Sequence, residues 1–336
     1  MIVSSAPLRI SFNGGGSDLD SFTNRSVGRV VSASLDKNVY VAINPSFGDS
    51  YRITYSRSEI VSSISEIQHP LVRNVLLEMN WEGPPLEITS MADVPSLGTG
   101  LGSSSAFTVA LIRGIAHLQG KHYSAETTAI TACKVEIDYS KEVVGRQDQF
   151  ASSFGGFNFF QFQANGNVKT RSLLNEDSVS IPSLISVLNS HMLTFHLNRP
   201  RQTSQILAAQ QNTILVSDEA YAATKQLACL AEDTFKAILN SDVELIGKLM
   251  YEGWKIKSLL NGDMKDPLII EIMTRLDSTS AYGGKLLGAG GGGFLVIFAN
   301  PSSHNEIKET FGSLMPLYEM SISIQEPKLI DMRGKI

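Results

Sequence analysis

The sequence predicts an α+β fold with two lobes, on three observations. Strand-like and helix-like segments come in blocks rather than in strict βα alternation, which argues against a doubly wound parallel sheet. The texture changes after about residue 175, from short β-rich runs to long helical patterns. The length of 336 residues, 43% hydrophobic and 18% charged, is ordinary globular composition and is ample for two domains. The boundary is expected within 170–190, giving an N-terminal domain over 1–180 and a C-terminal domain over 181–336.

Along the first half, Ile2–Ala6, Arg29–Ser34, Asn38–Asn44, Tyr51–Tyr55 and Leu86–Ser90 are short, rich in β-branched and aromatic residues, and read as strands. Leu71–Met79 reads as a helix. Ser103–Leu118 is a stronger one, because Phe107, Ala110, Leu111, Ile115 and Leu118 form one apolar stripe and Gly120 follows as a stop. Ser124–Val143 is expected as a further helix with Ile130, Cys133 and Ile137 on one face. Phe157–Phe162 and Val168–Arg171 pattern as a hairpin around Asn165-Gly166. In the second half, His191–His196 reads as a strand, Thr203–Leu239, Val243–Leu260 and Pro267–Leu276 as helices, Phe294–Ala299 as a buried strand, and Tyr318–Ile324 as a last extended piece.

The totals exclude several functions. A net charge of −5 with scattered arginines does not make the basic face of a nucleic-acid binder. Cys133 and Cys229 fall in no metal-binding spacing, and two free cysteines fit a reducing compartment. The start, MIVSSAPLRI, lacks a basic segment followed by an apolar stretch, so no signal peptide is expected. No apolar run approaches the roughly 18 residues of a membrane span. A cytoplasmic protein is expected.

Three glycine-rich segments stand out. Gly14-Gly15-Gly16 follows a strand and precedes Ser17 and Asp18; it reads as a turn or as a place of close backbone approach. Val94-Pro95-Ser96-Leu97-Gly98-Thr99-Gly100-Leu101-Gly102-Ser103-Ser104-Ser105 runs directly into a helix. Backbone N–H groups at such a helix N-terminus make an anion site, and the helix dipole adds to it. It is not a Walker A loop, since the Gly-Lys-Ser/Thr ending is absent. Gly288-Ala289-Gly290-Gly291-Gly292-Gly293 precedes the buried strand and makes sense where backbone must approach a phosphate or another loop.

Among the polar residues, Glu136 falls on the helix after Ser124, and Asp148 follows twelve residues later in a loop, Gly145-Arg146-Gln147-Asp148-Gln149. A carboxylate there suits a general base or a magnesium ligand; Glu136, with a hydroxyl from Ser103–Ser105, suits Mg²⁺, which takes few protein oxygens, or is a surface acid. Arg9, between Leu8 and Ile10, needs a partner, which is either a structural carboxylate or Asp148. Arg199 and Arg201 form the only close arginine pair, fit to grip a phosphate or to stand as an exposed basic turn.

Taken together these segments resemble the GHMP kinases, the family of galactokinase, homoserine kinase, mevalonate kinase and phosphomevalonate kinase. APLRISFNGGGSDL is similar to the first family motif, VPSLGTGLGSSSA to the second and KLLGAGGGGF to the third; in order, they span residues 6–294. Within the family, GGGSD with GRQDQFASSFGGFNFF looks most like the bacterial D-glycero-D-manno-heptose 7-phosphate kinases, and L-fucose kinases share a similar first motif. The resemblance implies an N-terminal domain like domain 2 of ribosomal protein S5 and a ferredoxin-like C-terminal domain. It implies an ATP- and Mg²⁺-dependent sugar kinase that phosphorylates the anomeric hydroxyl of heptose 7-phosphate for surface-glycan synthesis. The implied partner is a sugar or sugar phosphate, with no nucleic acid or membrane, and the chain a monomer or homodimer. It implies Asp148 as catalytic aspartate with Arg9 in support, and Ser104 and Glu136 as magnesium ligands. Pro95, Gly98, Thr99, Gly100, Leu101, Gly102, Ser103, Ser104, Ser105, Gly290 and Gly291 are implied around the nucleotide. Gly14, Gly15, Gly16, Asp18 and Arg199 are implied around the sugar. The chain departs from galactokinases in having Gly15-Gly16 for their Glu-His pair, and from heptose kinases in having Leu197-Asn198-Arg199 then Pro200 for an I-T-R stretch. A non-catalytic ATP and sugar sensor, or a decarboxylase of isoprenoid precursors, are the rival readings on the same fold.

Overall fold

The computed structural model describes residues 1–95, 98–176, 179–199, 203–260, 266–288 and 292–333, with the backbone alone at 203–205. Its elements are β1 (Ile2–Asn13), α1 (Asp20–Thr23), β2 (Gly28–Pro45), β3 (Tyr51–Thr54), β4 (Ser58–Val61), α2 (Pro70–Glu78), β5 (Leu86–Ala92), α3 (Ser103–Leu118), α4 (Ala125–Cys133), α5 (Gln147–Phe154), β6 (Phe157–Phe162) and β7 (Val168–Ser172). There follow α6 (Ile181–His191), β8 (Met192–Leu197), α7 (Thr203–Val216), α8 (Asp218–Leu239), α9 (Val243–Leu260), α10 (Pro267–Asp277), β9 (Ala281–Leu286), β10 (Gly293–Ala299), α11 (His304–Gly312), β11 (Ile322–Ser323) and β12 (Lys328–Asp331).

The spine of the larger sheet is β2. The sequence suggested two strands here, because Asp36-Lys37 interrupts the apolar pattern, yet the backbone continues through both. One edge of β2 pairs antiparallel with β1. On the other edge its first half pairs with β6 and its second half with β5. From Val39 onward burial alternates along β2, as one covered face requires, whereas Val30–Leu35 is buried on both faces. The pairing of β1 with β2 slips between Pro7 and Arg9 and again between Ser11 and Asn13. Such irregularities re-aim side chains and tolerate a proline without an N–H. They leave the Arg9 N–H free to donate to the carbonyl of Leu101, 3.0 Å away, tying the strand to the second glycine segment.

Helix α3 lies across β1 and β2, burying Val109, Ala110, Leu111, Ile112 and Ile115 in the core that Leu8, Ile10 and Val41 share. Each such Val, Leu or Ile side chain, fully buried, contributes about 1.5–3 kcal/mol. The smaller sheet, β8-β10-β9, is antiparallel. Its strand β10 sends Phe294, Val296 and Phe298 to the first core and Leu295 and Ile297 to a second, with Trp254, Ile272 and Phe311. The two lobes therefore share a packed seam. The chain then returns to the larger sheet, where β11 pairs with β2 and β12 with β1.

Several expectations are corrected. The helix expected over Ser124–Val143 is α-helical only to Cys133; Lys134–Tyr139 continues as π-helix, and Lys141 turns to φ +56. Ile130 is 53% exposed, while Cys133 and Ile137 do pack with Phe150 and Phe160. The span Thr203–Leu239 is two helices, because Ser217 leaves the helix and caps α8 through the Ala220 N–H. Only Ile322 and Ser323 of the last expected strand pair. The hairpin around Asn165-Gly166 is present as β6 and β7, with Gly166 at φ +83.

Candidate active site

The second glycine segment shapes the backbone as its composition suggests. Gly98, Gly100 and Gly102 have φ of +71, +73 and +75, and Thr99 and Leu101 between them are not among the positive-φ residues. A chain alternating in this way turns successive N–H groups toward one side, forming a concave anion nest. Gly102 is the N-cap of α3, and among the described residues no side chain caps that helix. The third segment closes on the second: a Cβ at Gly293 would stand 2.4 Å from the Thr99 carbonyl oxygen. Gly290 and Gly291 lie outside the described residues, as does Arg201.

Arg9 joins this cradle to Asp148. Its Nε and Nη2 donate to Asp148 Oδ1 at 2.9 and 2.6 Å, and its Nη1 donates to the Gly100 carbonyl at 2.5 Å. The Asp148 Oδ2 stays outside this pair and faces Gly102, 3.5 Å from where a Cβ there would stand. The arginine side chain is 4% exposed and that of Asp148 28%. Asp148 was expected in a loop; it is instead the second residue of α5, where the helix dipole favours an anion.

Glu136 sits on the π-helical stretch, a distortion frequent at functional sites. Its Oε2 accepts from Ser105 Oγ at 2.9 Å and from Gln149 Nε2 at 2.7 Å, and its Oε1 is buried without a hydrogen bond among the described residues. Burial pushes this carboxyl up to about 7, against the hydroxyls of Thr108 and Ser105 and the Gln149 amide; the nearby Asp148 charge adds to the rise. Ser105 rather than Ser104 meets Glu136, and Ser104 is exposed at the same helix start.

Two family descriptions match the chain: GHMP kinases N terminal domain over residues 67–156 and GHMP kinases C terminal over 234–317, together just over half of it. The chain belongs to the GHMP kinases. It is a small-molecule kinase and uses ATP. It is 25% identical over 317 residues to D-glycero-alpha-D-manno-heptose 7-phosphate kinase of Campylobacter jejuni, covering 90% of this chain and 91% of that one. It is 24% identical over 314 residues to the bifunctional fucokinase/GDP-fucose pyrophosphorylase of Arabidopsis thaliana, covering 87% of this chain and 29% of that one. The crystal structure of a D-glycero-D-manno-heptose 1-phosphate kinase from Bacteroides thetaiotaomicron superposes with a TM-score of 0.78 at 22% identity, covering 99% of each chain; it shows the fold.

In this GHMP kinase the first glycine segment docks onto the helix that carries Asp148. Asp18, 1% exposed, accepts from the Gly16 N–H at 2.9 Å and from the Gln147 N–H and Nε2, both at 3.0 Å. Burial raises its carboxyl, while the Gln147 and Gly16 N–H groups pull it back. A Cβ at Gly145 would stand 1.8 Å from Asp18 Oδ2, so glycine is required there for this approach. Gly14 packs on the Arg29 carbonyl, Gly15 faces the Gln147 amide and Gly16 the Gln210 amide. Arg199 donates to Asp266 Oδ2 at 2.6 Å. Pro95 is exposed at the start of the cradle loop.

Three polar residues of this GHMP kinase were not singled out by sequence reasoning, although Lys285 opens the third glycine motif, KLLGAGGGGF. Gln210 on α7 is fully buried, with neither amide atom hydrogen-bonded among the described residues. Lys257 on α9 and Lys285 on β9 are 9% and 8% exposed. Only their position against the glycine segments reveals them. No helix among the described residues is long and apolar enough to cross a membrane.

Proposed function

We propose that this protein transfers the terminal phosphoryl group of ATP to a sugar hydroxyl, and that the acceptor is the anomeric hydroxyl of D-glycero-D-manno-heptose 7-phosphate. The observation that carries the reading is the double grip of Arg9, which holds Asp148 and the Gly100 carbonyl at once. It fixes a carboxylate beside a phosphate cradle. Phosphoryl transfer asks mainly for such positioning and for charge neutralisation.

The Gly98–Gly102 nest and the uncapped start of α3 hold the ATP phosphates. Asp148 orients the acceptor hydroxyl and takes its proton at Oδ2, the oxygen outside the arginine pair. Arg9 keeps the carboxylate in place. The family's metal fits the residues present: Mg²⁺ uses one or two carboxylates with phosphate and water, and Glu136 offers a buried Oε1 with no hydrogen-bond partner among the described residues. Glu136 and the hydroxyls of Ser104 or Ser105 would hold it. Bound there, Mg²⁺ would neutralise phosphate charge during transfer. Gly14, Gly15, Gly16 and Asp18 border the acceptor site, next to the start of α5.

The heptose acceptor is supported by the Campylobacter likeness over nine-tenths of both chains and by the GGGSD motif. The Arabidopsis likeness makes L-fucose the second candidate. A panel of heptose 7-phosphate, free heptose, L-fucose, galactose and mevalonate, assayed for ATP-dependent product, tests the reading. Heptose 7-phosphate is expected to give the highest kcat/KM. Preferred turnover of mevalonate, or ATP binding with no product from any acceptor, refutes it.

A further inference from the structure

Lys285 stands opposite Val296 in the β9–β10 pair, on the side of the small sheet turned to β1. Its Nζ donates to the Phe12 carbonyl at 3.2 Å, at the end of β1 and two residues before Gly14. Lys257 lies one helical turn beyond Gly253, which packs on Asn13, and its Nζ donates to the Gly288 carbonyl at 2.8 Å. Both lysines thus lie in the seam between the first and third glycine segments.

Lys285 makes no ion pair among the described residues; the charged groups acting on it are Lys257 and Arg9, and Arg9 is paired with Asp148. Burial, with those two cations, holds the Lys285 ammonium well below the ordinary lysine range. Burying an ammonium without an anion costs several kcal/mol, and such a site favours whatever anion reaches it. An ammonium has three donors, and the Phe12 carbonyl takes one.

We propose that Lys285, with Lys257 beside it, binds a phosphate group in the seam between the lobes. The inference rests on the kinase reading above, in which ATP and a sugar phosphate meet at Arg9 and Asp148. The phosphate comes either from the transferred end of ATP or from the acceptor's own 7-phosphate.

The test is Lys285→Met, which removes the charge at similar length, assayed with heptose 7-phosphate and with free heptose. A loss of kcat/KM of about ten-fold or more with the sugar phosphate is expected. A loss confined to the sugar phosphate assigns the site to the acceptor's phosphate. An equal loss in kcat for both acceptors assigns it to the ATP phosphoryl group. Values within two-fold of wild type for both overturn the proposal, as does a lowered Tm with unchanged kinetics. Phosphate binding is also measured without turnover. Inorganic phosphate at constant ionic strength is expected to raise the wild-type Tm by roughly 2 °C or more. That shift should shrink in Lys285→Met and, should that variant not fold, in Lys257→Met. A shift of the same size in the variants, or none in wild type, refutes the site even where no acceptor is turned over; failure of the acceptor panel alone refutes only the kinase reading.

Discussion

Two arginine–aspartate pairs in this molecule close to the same 2.6 Å, and they do different work. Arg199–Asp266 stands at the surface, with the arginine side chain 46% exposed. Its aspartate also caps α10 through the Leu268 N–H at 2.9 Å. Arg9–Asp148 is set beside the Gly98–Gly102 loop, the arginine 4% exposed and bonded through side chain and backbone to that loop. Distance alone does not distinguish them. What distinguishes them is the third partner: a helix end in one case, a concave row of amides in the other. Surface pairs contribute about 0–1 kcal/mol, whereas removing one member of a buried pair strands the other.

The contrast is open to experiment. Asp148→Ala is expected to lower kcat by about 10³-fold or more while ATP binding, read by calorimetry, survives; near-normal turnover would remove the difference between the pairs. Glu136 sharpens the comparison, being a buried acid with no arginine. Its folded carboxyl titrates near 7 against an unfolded value of 4.5. Its contribution to stability is therefore complete below about pH 4.5 and is lost as pH rises through 7, a change on the order of 3 kcal/mol. In EDTA the wild-type Tm should fall across that window, and Glu136→Gln should flatten the slope; parallel curves would contradict the burial argument. Arg9→Met should cost about 10² in kcat and about 2 kcal/mol in denaturant melts, the quarter exposure of Asp148 softening the loss. Arg199→Ala should change stability by less than about 1 kcal/mol and leave the acceptor KM within roughly three-fold; a larger rise in KM would move Arg199 into the substrate site.

The cradle was legible because its chemistry is written in backbone. Gly98, Gly100 and Gly102 permit positive φ, and the stripe from Phe107 to Leu118 announces the helix they open. The joining of the three segments was legible only as resemblance, since Gly293 meets Thr99 across nearly two hundred residues. The helix carrying Asp148 was hidden because Gln147–Phe154 is short and begins just after Gly145-Arg146. Strand β9, with Gly283 and Gly284 ahead of Lys285, has the composition of a loop and becomes a strand because β10 and α9 enclose it. Helix α11 was missed because only Ile307 and Phe311 mark its buried face. Lys257 and Gln210 look like ordinary surface residues in sequence, and Lys285 was overshadowed by the glycines it precedes; tertiary packing buries all three.

The pairing of β12 with β1 has a consequence for how the protein is made. Ile2 through Ser5 are translated more than three hundred residues ahead of their partners Lys328–Asp331 and meet them only once synthesis has passed residue 331. Until then the outer row of amides on β1 has no neighbour, and such open borders invite pairing with other nascent chains. Solubility during expression should accordingly depend on how quickly the ribosome delivers Lys328–Asp331.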